Sequence, residues 1–465
     1  MLCKRSAGNH PYRRKDSVRQ CLFLTAFILS TPVFAFAQNN NSEGVPSLTL
    51  GQCIDYGLQH QPLLNQAQIN EAIAKTTNAI NLSGWLPQVS ASANAIHYFT
   101  LPTTLVSDST GYVGTPIQEH TGIVNTVVPE LSATQVIFNP QLLYAAKSAN
   151  LYIQEAKQVT DSTKIFVASN VSKSFYSLLL TLEQINVLRE DTARLTRNVK
   201  DTYHQFVGGI VDETDYDEAV IALNNSYAQL VQQLENVRPQ YAVLKQIMGY
   251  PPEQQFNVSF DSTQLLHEID FDTTRQLQYD KRIEYQQLIT AKKLQHQLTN
   301  YYGLAFLPTV SAFYNYFYEF ENDNASSLFS NAYPYSYIGL TLNVPIFTGF
   351  SRVENVHKAR LQEQLLDWAG VNLKSEIYAQ YTSAMGNYKY NLTNWHLQKD
   401  NVVRSKNVYR IVTLQYKQGI VAYLNVIAAE SYLIAAETGE VNALYQLLSS
   451  KVDLEKALGD ISYNR

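Results

Sequence analysis

The chain alternates between long stretches with helical spacing and short stretches with strand spacing. Apolar residues recur every three or four positions over about 48–84, 140–207 and 212–248, which is the spacing of one helix face. Two short segments, 88–99 and 121–138, alternate with a period of two, as strands do. A helix over 140–207 would be about 100 Å long. A compact domain has no use for such a helix, so the pattern indicates a coiled coil or a helical barrel.

The second half of the chain repeats this order. Leu-Pro-Gln-Val-Ser-Ala-Ser-Ala-Asn at 86–94 returns as Leu-Pro-Thr-Val-Ser-Ala-Phe-Tyr-Asn at 307–315. The Gly-Ile-Val triplet at 209–211 returns at 419–421, 210 positions later. A repeat of this length predicts a tandem duplication rather than a short-period solenoid. In the second copy we expect a helix over 278–303, strands over 308–320 and 335–347, a long helix over 351–417 and a return helix over 422–458.

The duplication divides the chain into four parts. We predict a signal peptide over 1–37, a first repeat over 38–249 with its strand pair in 86–138, a linker or equatorial segment over 250–277, and a second repeat over 278–465 with its strand pair in 307–347. Each repeat holds a helix, a strand pair, a long helix and a return helix. The predicted fold is therefore mixed α and β, with tandem-duplicated long helical hairpins and four strands per chain.

The last predicted strand alternates cleanly between two faces. One face carries Ile338, Leu340, Leu342, Val344 and Ile346, and the other carries Tyr337, Gly339, Thr341 and Asn343. Such alternation is also typical of a half-buried sheet or a β-sandwich. Two strands per repeat are few for either, and four strands cannot close a barrel alone. Three chains would supply twelve strands, which is enough for a closed barrel.

Aromatic residues cluster along and beside these strands. The chain has 32 tyrosines, and tyrosine belts mark the water–lipid boundary of outer-membrane barrels. The high β-propensity of tyrosine is the other explanation. The predicted belt consists of Tyr98, Phe99, Tyr314, Tyr316, Tyr318, Phe320, Tyr333, Tyr335 and Tyr337.

The first 37 residues have the features of a secretory signal peptide. A basic region precedes an apolar stretch over 21–35, and Ala35-Phe36-Ala37 is a small-x-small cleavage signal. The alternative, a membrane anchor, is disfavoured because the apolar run is short for a span and contains Pro32 near its end. Cleavage would leave Cys53 as the one cysteine, so the exported fold does not rely on disulfides.

Charge and motif content exclude several function classes. The formal net charge is −5, and removal of six basic residues and one acidic residue with the signal peptide changes it to −10, which argues against nucleic-acid binding. The sequence contains neither a zinc-protease motif nor a glycine-rich phosphate loop. We therefore expect no enzyme activity, no cofactor and no metal site.

The order of these segments resembles the TolC-type outer-membrane efflux family. The resemblance rests on the helix, the Leu-Pro strand pair, Val-Pro-Ile-Phe-Thr-Gly at 344–349, the long helix, the glycine turn and the return helix, and most of these recur in both copies. It implies a homotrimer with a twelve-stranded barrel in the outer membrane of a Gram-negative bacterium and a helical tunnel in the periplasm. The implied role is an exit duct for an inner-membrane transporter, joined to it by a periplasmic adaptor protein.

The resemblance also assigns roles to the two turns between long helices. It implies that the tips contacting the adaptor are Gly208, Gly209 and Ile210 in the first copy, with Gly419 and Ile420 in the second. Family tips often read Val-Gly-Leu, and neither copy matches this fully. Family channels can carry aspartates just past the second tip, where this chain has Asn425 and Ala428.

The acids of this chain lie past the first tip instead. They are Asp212, Glu213, Asp215, Asp217 and Glu218. One interpretation is an acidic ring at the periplasmic entrance. The other is a favourable helix start, because acids in a first turn complement the helix dipole and Asp212 is a good N-cap residue. Both interpretations remain open at this point.

One function outside the efflux class also remains. A trimeric coiled coil is typical of structural or adhesin-type surface proteins without a transport role. Such a protein would place its strands in one terminal block, with an uninterrupted stalk. The two separated strand pairs therefore favour the duct.

Overall fold

The computed structural model describes residues 45–106, 117–259, 269 and 271–461, so the predicted signal peptide over 1–37 lies outside the described residues. The helices are α1 Leu50–His60, α2 Pro62–Ser83, α3 Pro140–Val207, α4 Glu213–Met248, α5 Ile283–Leu304, α6 Ser351–Lys417 and α7 Tyr423–Leu458. The strands are β1 Ser47–Leu48, β2 Gln88–His97, β3 Thr103–Val106, β4 Ile117–His120, β5 Asn125–Phe138, β6 Asn257–Val258, β7 Thr309–Asn322 and β8 Ala332–Asn343. The predicted mixture of long helices and strands is confirmed.

The lengths of the helices repeat from one half to the other. α3 and α6 have 68 and 67 residues, α4 and α7 have 36 each, and α2 and α5 have 22 each. α3 begins where the sequence predicts, because the Asn139 side chain accepts a hydrogen bond from the Gln141 N–H and Pro140 occupies the first helical position. The single helix predicted over 48–84 is two helices, since Pro62 opens a new one at α2.

Four glycines end the hairpin helices in the same way. Gly209, Gly249, Gly419 and Gly459 have φ of 68°, 68°, 69° and 76°, in the left-handed region that favours glycine. At Gly249 the following amide, Tyr250 N–H, donates to the Lys245 carbonyl at 2.8 Å, which is the long hydrogen bond of a Schellman motif. The hairpin helices in both halves of the chain therefore end in the same way, at a glycine in the left-handed conformation.

Gly249 is required for a second reason. A Cβ at this position would lie 2.6 Å from the His60 carbonyl oxygen. We expect Gly249→Ala to lower the free energy of unfolding by about 2 kcal/mol or more, because left-handed strain and a backbone clash add. Thermal unfolding followed by circular dichroism measures this. Gly303→Ala is the control, because Gly303 lies in α5 and, apart from its own helix backbone and chain neighbours, no described atom lies within 4 Å of the added Cβ. Equal stability of the two variants would contradict the prediction.

The four long strands form one antiparallel sheet in the order β2-β5-β7-β8. The β5–β7 pair, with Leu131 opposite Tyr316, joins the two halves of the chain. Among the described residues, neither β2 nor β8 has a second strand partner, so the sheet has two open edges. The loop predicted between the first two strands carries a small hairpin of its own, β3 with β4.

The register of the sheet separates an apolar face from a polar one. Ala312 lies opposite Leu340, and Val310 opposite Leu342, whereas Ser311 lies opposite Thr341 and Asn315 opposite Tyr337. Directly paired residues share a face, so the two sets lie on opposite faces. β8 ends at Asn343, before Pro345, so Val344 and Ile346 extend beyond the strand predicted over 335–347.

The predicted aromatic belt does not form one girdle. Tyr333 pairs with Glu319 and Tyr335 with Phe317, which places Tyr333, Tyr335 and Tyr337 on the polar face. Tyr314, Tyr316 and Tyr318 lie on the face of Leu340. The nine-residue belt is therefore wrong as a single surface, because period-two alternation puts odd and even positions of one strand on opposite faces.

The main core lies where the two hairpins meet the short helices. Phe175, Leu178, Tyr388 and Leu447 are buried there. The linker contributes to this core, since the Tyr388 hydroxyl donates to the Ile269 carbonyl at 2.6 Å. One stretch within α3 is long and apolar enough to cross a membrane, but most of it is buried inside the fold, as expected for a core helix.

Candidate functional site

The two predicted tips lie side by side at one end of the hairpins. The Tyr416 hydroxyl, on α6, donates to the Gln205 side-chain oxygen, on α3, at 2.5 Å. Ala219, Tyr423 and Val426 pack in a small buried cluster just beyond the turns. The fold therefore brings together the residues of both copies that the sequence singles out.

The two turns share one hydrogen-bonding pattern. Ile210 N–H donates to the Gln205 carbonyl at 2.8 Å, and Ile420 N–H donates to the Gln415 carbonyl at 2.9 Å. Apart from the chain neighbours, no described atom lies within 4 Å of a Cβ placed at Gly209 or Gly419. Glycine is therefore favoured at these two positions by the left-handed backbone conformation, and not by lack of space for a side chain. Gly208 has a right-handed φ of −77°, so its backbone conformation does not require glycine.

Apolar side chains surround both turns and are open to solvent. The exposed ones are Phe206, Val207, Ile210, Ile420 and Leu424. Exposed apolar groups gathered at one place mark interaction surfaces more often than scattered ones do. The tips thus offer a surface suited to a protein partner.

The five acids past the first tip form the start of α4. Asp212 occupies the N-cap position, and Glu213 and Asp215 lie in the first turn. The predicted N-cap position of Asp212 is confirmed, but its side chain accepts no capping hydrogen bond within the described residues. The dipole argument for the first-turn acids is unaffected.

Within this group the environments differ. Asp212, Glu213 and Asp217 are exposed, whereas Asp215 and Glu218 are half-buried. Partial burial, followed by the charge of Asp212, raises the pKa of Asp215. Past the second tip, Asn425 and Ala428 are both exposed. The first hairpin is therefore the one that carries negative charge at this end.

A buried group of charges that the sequence pattern alone does not identify lies about three to five helical turns from the tips. Glu430 and Glu437 are 2% and 6% exposed and lie beside Arg194 and the fully buried Asp191. The sequence of α7 did contain a signal for this group. Glu430 lies between Val426 and Leu433 in the apolar stripe of the helix, and Glu437 lies in the same stripe one turn beyond Leu433. A charged residue in a buried stripe requires a partner.

No group of three or more metal-ligating side chains is found within the described residues. The arrangement at the tips consists of backbone turns, exposed apolar side chains and carboxylates. Such exposed apolar groups are suited to contact with a protein, and carboxylates are suited to attracting cations.

Comparison with known proteins identifies relatives of this chain. The family model described as outer membrane efflux protein matches residues 54–250 and 302–460. The TolC outer membrane protein of Vibrio cholerae is 20% identical over 344 residues, covering 71% of this chain and 76% of that protein.

Solved structures share the fold. The outer membrane protein VceC of Vibrio cholerae has a TM-score of 0.69 at 16% identity, covering 88% of this chain and 96% of that one. The CmeC outer membrane channel of Campylobacter jejuni has a TM-score of 0.68 at 18% identity, covering 90% and 87%.

Proposed function

Because this chain belongs to the outer membrane efflux protein family, which consists of channels and not enzymes, we propose that three copies form the passive exit duct of a tripartite efflux or secretion system. The location is the outer membrane. The duct would carry small molecules or secreted substrates from an inner-membrane transporter to the exterior. Family membership favours this role over the adhesin-type alternative.

The open sheet is the observation that carries the proposal of a trimer. β2 and β8 leave two edges of 10 and 12 residues, and backbone groups on such edges cannot be satisfied in lipid. The strands are as long as a tilted transmembrane strand requires. If β8 of one chain pairs with β2 of the next, three chains close a twelve-stranded barrel without edges.

The helical hairpins supply the rest of the duct. α3 and α6 would each extend about 100 Å at 1.5 Å per residue, and in a trimer six hairpins would surround one passage through the periplasm. The apolar tips at Gly209 and Gly419 would then be the surface that meets the periplasmic adaptor.

Single-channel recording on purified protein in planar bilayers tests the duct. A duct gives stable conductance steps, whereas an adhesin gives none under the same conditions. Mass measurement in detergent on the same sample gives the number of copies. A stable monomer without conductance would contradict both parts of the proposal.

The tips are expected to be needed for export but not for assembly. Gly419→Trp should abolish export, because the indole would cover the exposed apolar surface and strain the left-handed turn. Export is measured as loss of drug tolerance in cells that depend on this duct, and outer-membrane fractionation measures assembly.

The matched control is Gly419→Asn, because asparagine accepts the left-handed conformation at lower cost than other residues. It should retain most export. Gly209→Trp and Gly209→Asn repeat the comparison in the first copy. Loss of the trimer in the tryptophan variants would mean that these glycines are purely structural.

A further inference from the structure

Four charged side chains meet where the two helical hairpins of one chain touch. We name them the seam cluster: Arg194, Asp191, Glu430 and Glu437. Arg194 lies 3.2 Å from Asp191, from Nη2 to Oδ1, and 3.5 Å from Glu430, from Nε to Oε1. Its Nη2 also lies 3.5 Å from Oε2 of Glu437. One guanidinium thus serves three carboxylates.

Every long helix takes part in this cluster. Arg194 and Asp191 belong to α3, and Glu430 and Glu437 to α7. Ser226 on α4 donates a hydrogen bond to Asp191 at 2.5 Å. Lys406 on α6 lies 3.1 Å from Glu437. The seam cluster therefore ties the hairpin of α3 and α4 to the hairpin of α6 and α7.

The charges of the cluster do not balance when all three acids are ionised. Three carboxylates face two cations, Arg194 and Lys406. Among the described residues, the other polar groups near Glu430 include no cation: they are Asn198 on α3, Glu218 on α4 across a cavity, Tyr409 on α6 and Tyr423 on α7. A buried excess of one negative charge is unfavourable.

The hydrogen bonding of the cluster is also incomplete. Asn198 donates to Oε2 of Glu430 at 3.0 Å. Within the described residues, Oε1 of Glu430, Oε2 of Glu437 and Nε of Arg194 have no hydrogen-bond partner. The two contacts of Arg194 at 3.5 Å, with Glu430 and Glu437, are therefore ion pairs without hydrogen bonds. Protonation of one of these carboxyl groups would remove the excess negative charge without breaking a hydrogen bond.

The hairpins have room to move beside the cluster. A cavity of about 740 Å³ lies between α4 and α7, lined in part by Ile221, Ser226, Ile427 and Ile434. Two small apolar clusters flank it, one around Val426 and one formed by Ile185, Leu188 and Leu230. Because this cavity leaves α4 and α7 apart beside the cluster, the polar seam is one of the contacts that join the hairpins here.

We propose that the seam cluster is a proton-controlled latch, which holds the two hairpins together when one carboxyl is protonated and loosens when all three are ionised. The latch acts within one chain. It therefore does not depend on the proposed duct.

Burial, followed by the charge of Asp191, raises the pKa of Glu430 to about 7. Because this pKa lies above the value of an exposed glutamate, the stability contributed by protonation is complete at acidic pH and is lost as pH rises through about 7. Burial also raises the pKa of Asp191, which acts in the same direction. The latch is thus closed under acidic conditions and loosened under mildly alkaline ones.

Distance measurement between spin labels on the two hairpins tests the latch. Asn225 on α4 and Ser431 on α7 are exposed and both line the cavity. Cysteines there accept labels, while the native Cys53 is buried. Labelled chains are mixed with excess unlabelled chains, so that distances within one chain are measured. With a pKa of about 7, the ratio of protonated to ionised Glu430 is about 30 to 1 at about pH 5.5 and about 1 to 30 at about pH 8.5. We expect the fraction of molecules with the longer label-to-label distance to grow between these two pH values, with a midpoint near pH 7.

Glu430→Gln removes the titrating group and keeps its shape, so the short distance should persist at both pH values. Glu440→Gln is the control, since it makes the same change on α7 outside the cluster and should retain the response of the unmodified protein. If Glu430→Gln does not assemble, Glu437→Gln is used instead, because it removes the same excess charge. A distance independent of pH in the unmodified protein, or an undiminished response in the glutamine variant, would overturn the proposal.

Discussion

Leu340→Lys is expected to prevent stable insertion of this protein into the outer membrane. Leu340 lies within β8, three residues before its end, on the face that also carries Ala312 and Tyr314, and it is 72% exposed in a single chain. If this face meets lipid, each lysine at mid-membrane depth costs about 2–4 kcal/mol. Three copies in one barrel would multiply that cost, so few assembled trimers should remain.

Thr341→Lys is the matched control. Thr341 is the next residue of the same strand and pairs with Ser311 on the polar face, so its lysine would enter a water-filled lumen. We expect normal insertion and a trimer of unchanged mass. Heat-modifiable migration of the trimer in outer-membrane fractions reports both variants. Equal tolerance of the two lysines would contradict a lipid-facing apolar surface, and the opposite order would invert the two faces.

Where the sequence carries explicit start and stop signals, element bounds could be predicted closely. α3 was expected over 140–207 and runs over Pro140–Val207, because Asn139 and Pro140 mark its start and the glycine turn marks its end. The second half repeats these signals at Gly419 and Gly459. Backbone chemistry of this kind is local, so it can be recognised without knowing the tertiary structure.

The bounds of other elements depend on tertiary contacts, which the hydrophobic pattern of the sequence does not show. The strand predicted from 121 begins at Asn125, after Gly122 turns the chain with φ of 115°. The β3–β4 hairpin consists of two four-residue strands, too short for alternation to distinguish them from a loop. Such short strands form because they pair with each other, and that pairing is a tertiary property.

In the candidate site too, features set by local sequence could be predicted and features set by tertiary contacts could not. The tips were predictable, because glycine before an exposed apolar residue recurs in both copies. The seam cluster was not predictable, since the role of Glu430 depends on its contact with Arg194, which lies on another helix. The pattern of α7 shows a charge within a buried stripe, but it does not show which residue compensates that charge.

The acids of the first tip are expected to make the duct cation-selective. In a trimer, the starts of three α4 helices would bring Asp212, Asp215 and their neighbours near one axis at the periplasmic entrance. Rings of carboxylates favour cations over anions. The pKa of Asp215 is already raised in a single chain, and further carboxylates nearby would raise it more. Because a raised pKa means protonation at higher pH, cation selectivity should weaken as the solution is acidified. The loss should begin at a pH above the one at which an exposed aspartate becomes protonated.

Reversal potentials in a salt gradient across a planar bilayer measure this selectivity. Changing all five acids, Asp212, Glu213, Asp215, Asp217 and Glu218, to the matching amides should bring the cation preference close to none and remove its pH dependence. Glu253→Gln is the control, because Glu253 is exposed and lies beyond the opposite end of α4, about 50 Å away. Each first-turn acid contributes about 0.3–1 kcal/mol to its helix through the dipole. An unchanged ion preference combined with a small loss of thermal stability would therefore leave the helix start as the role of these acids.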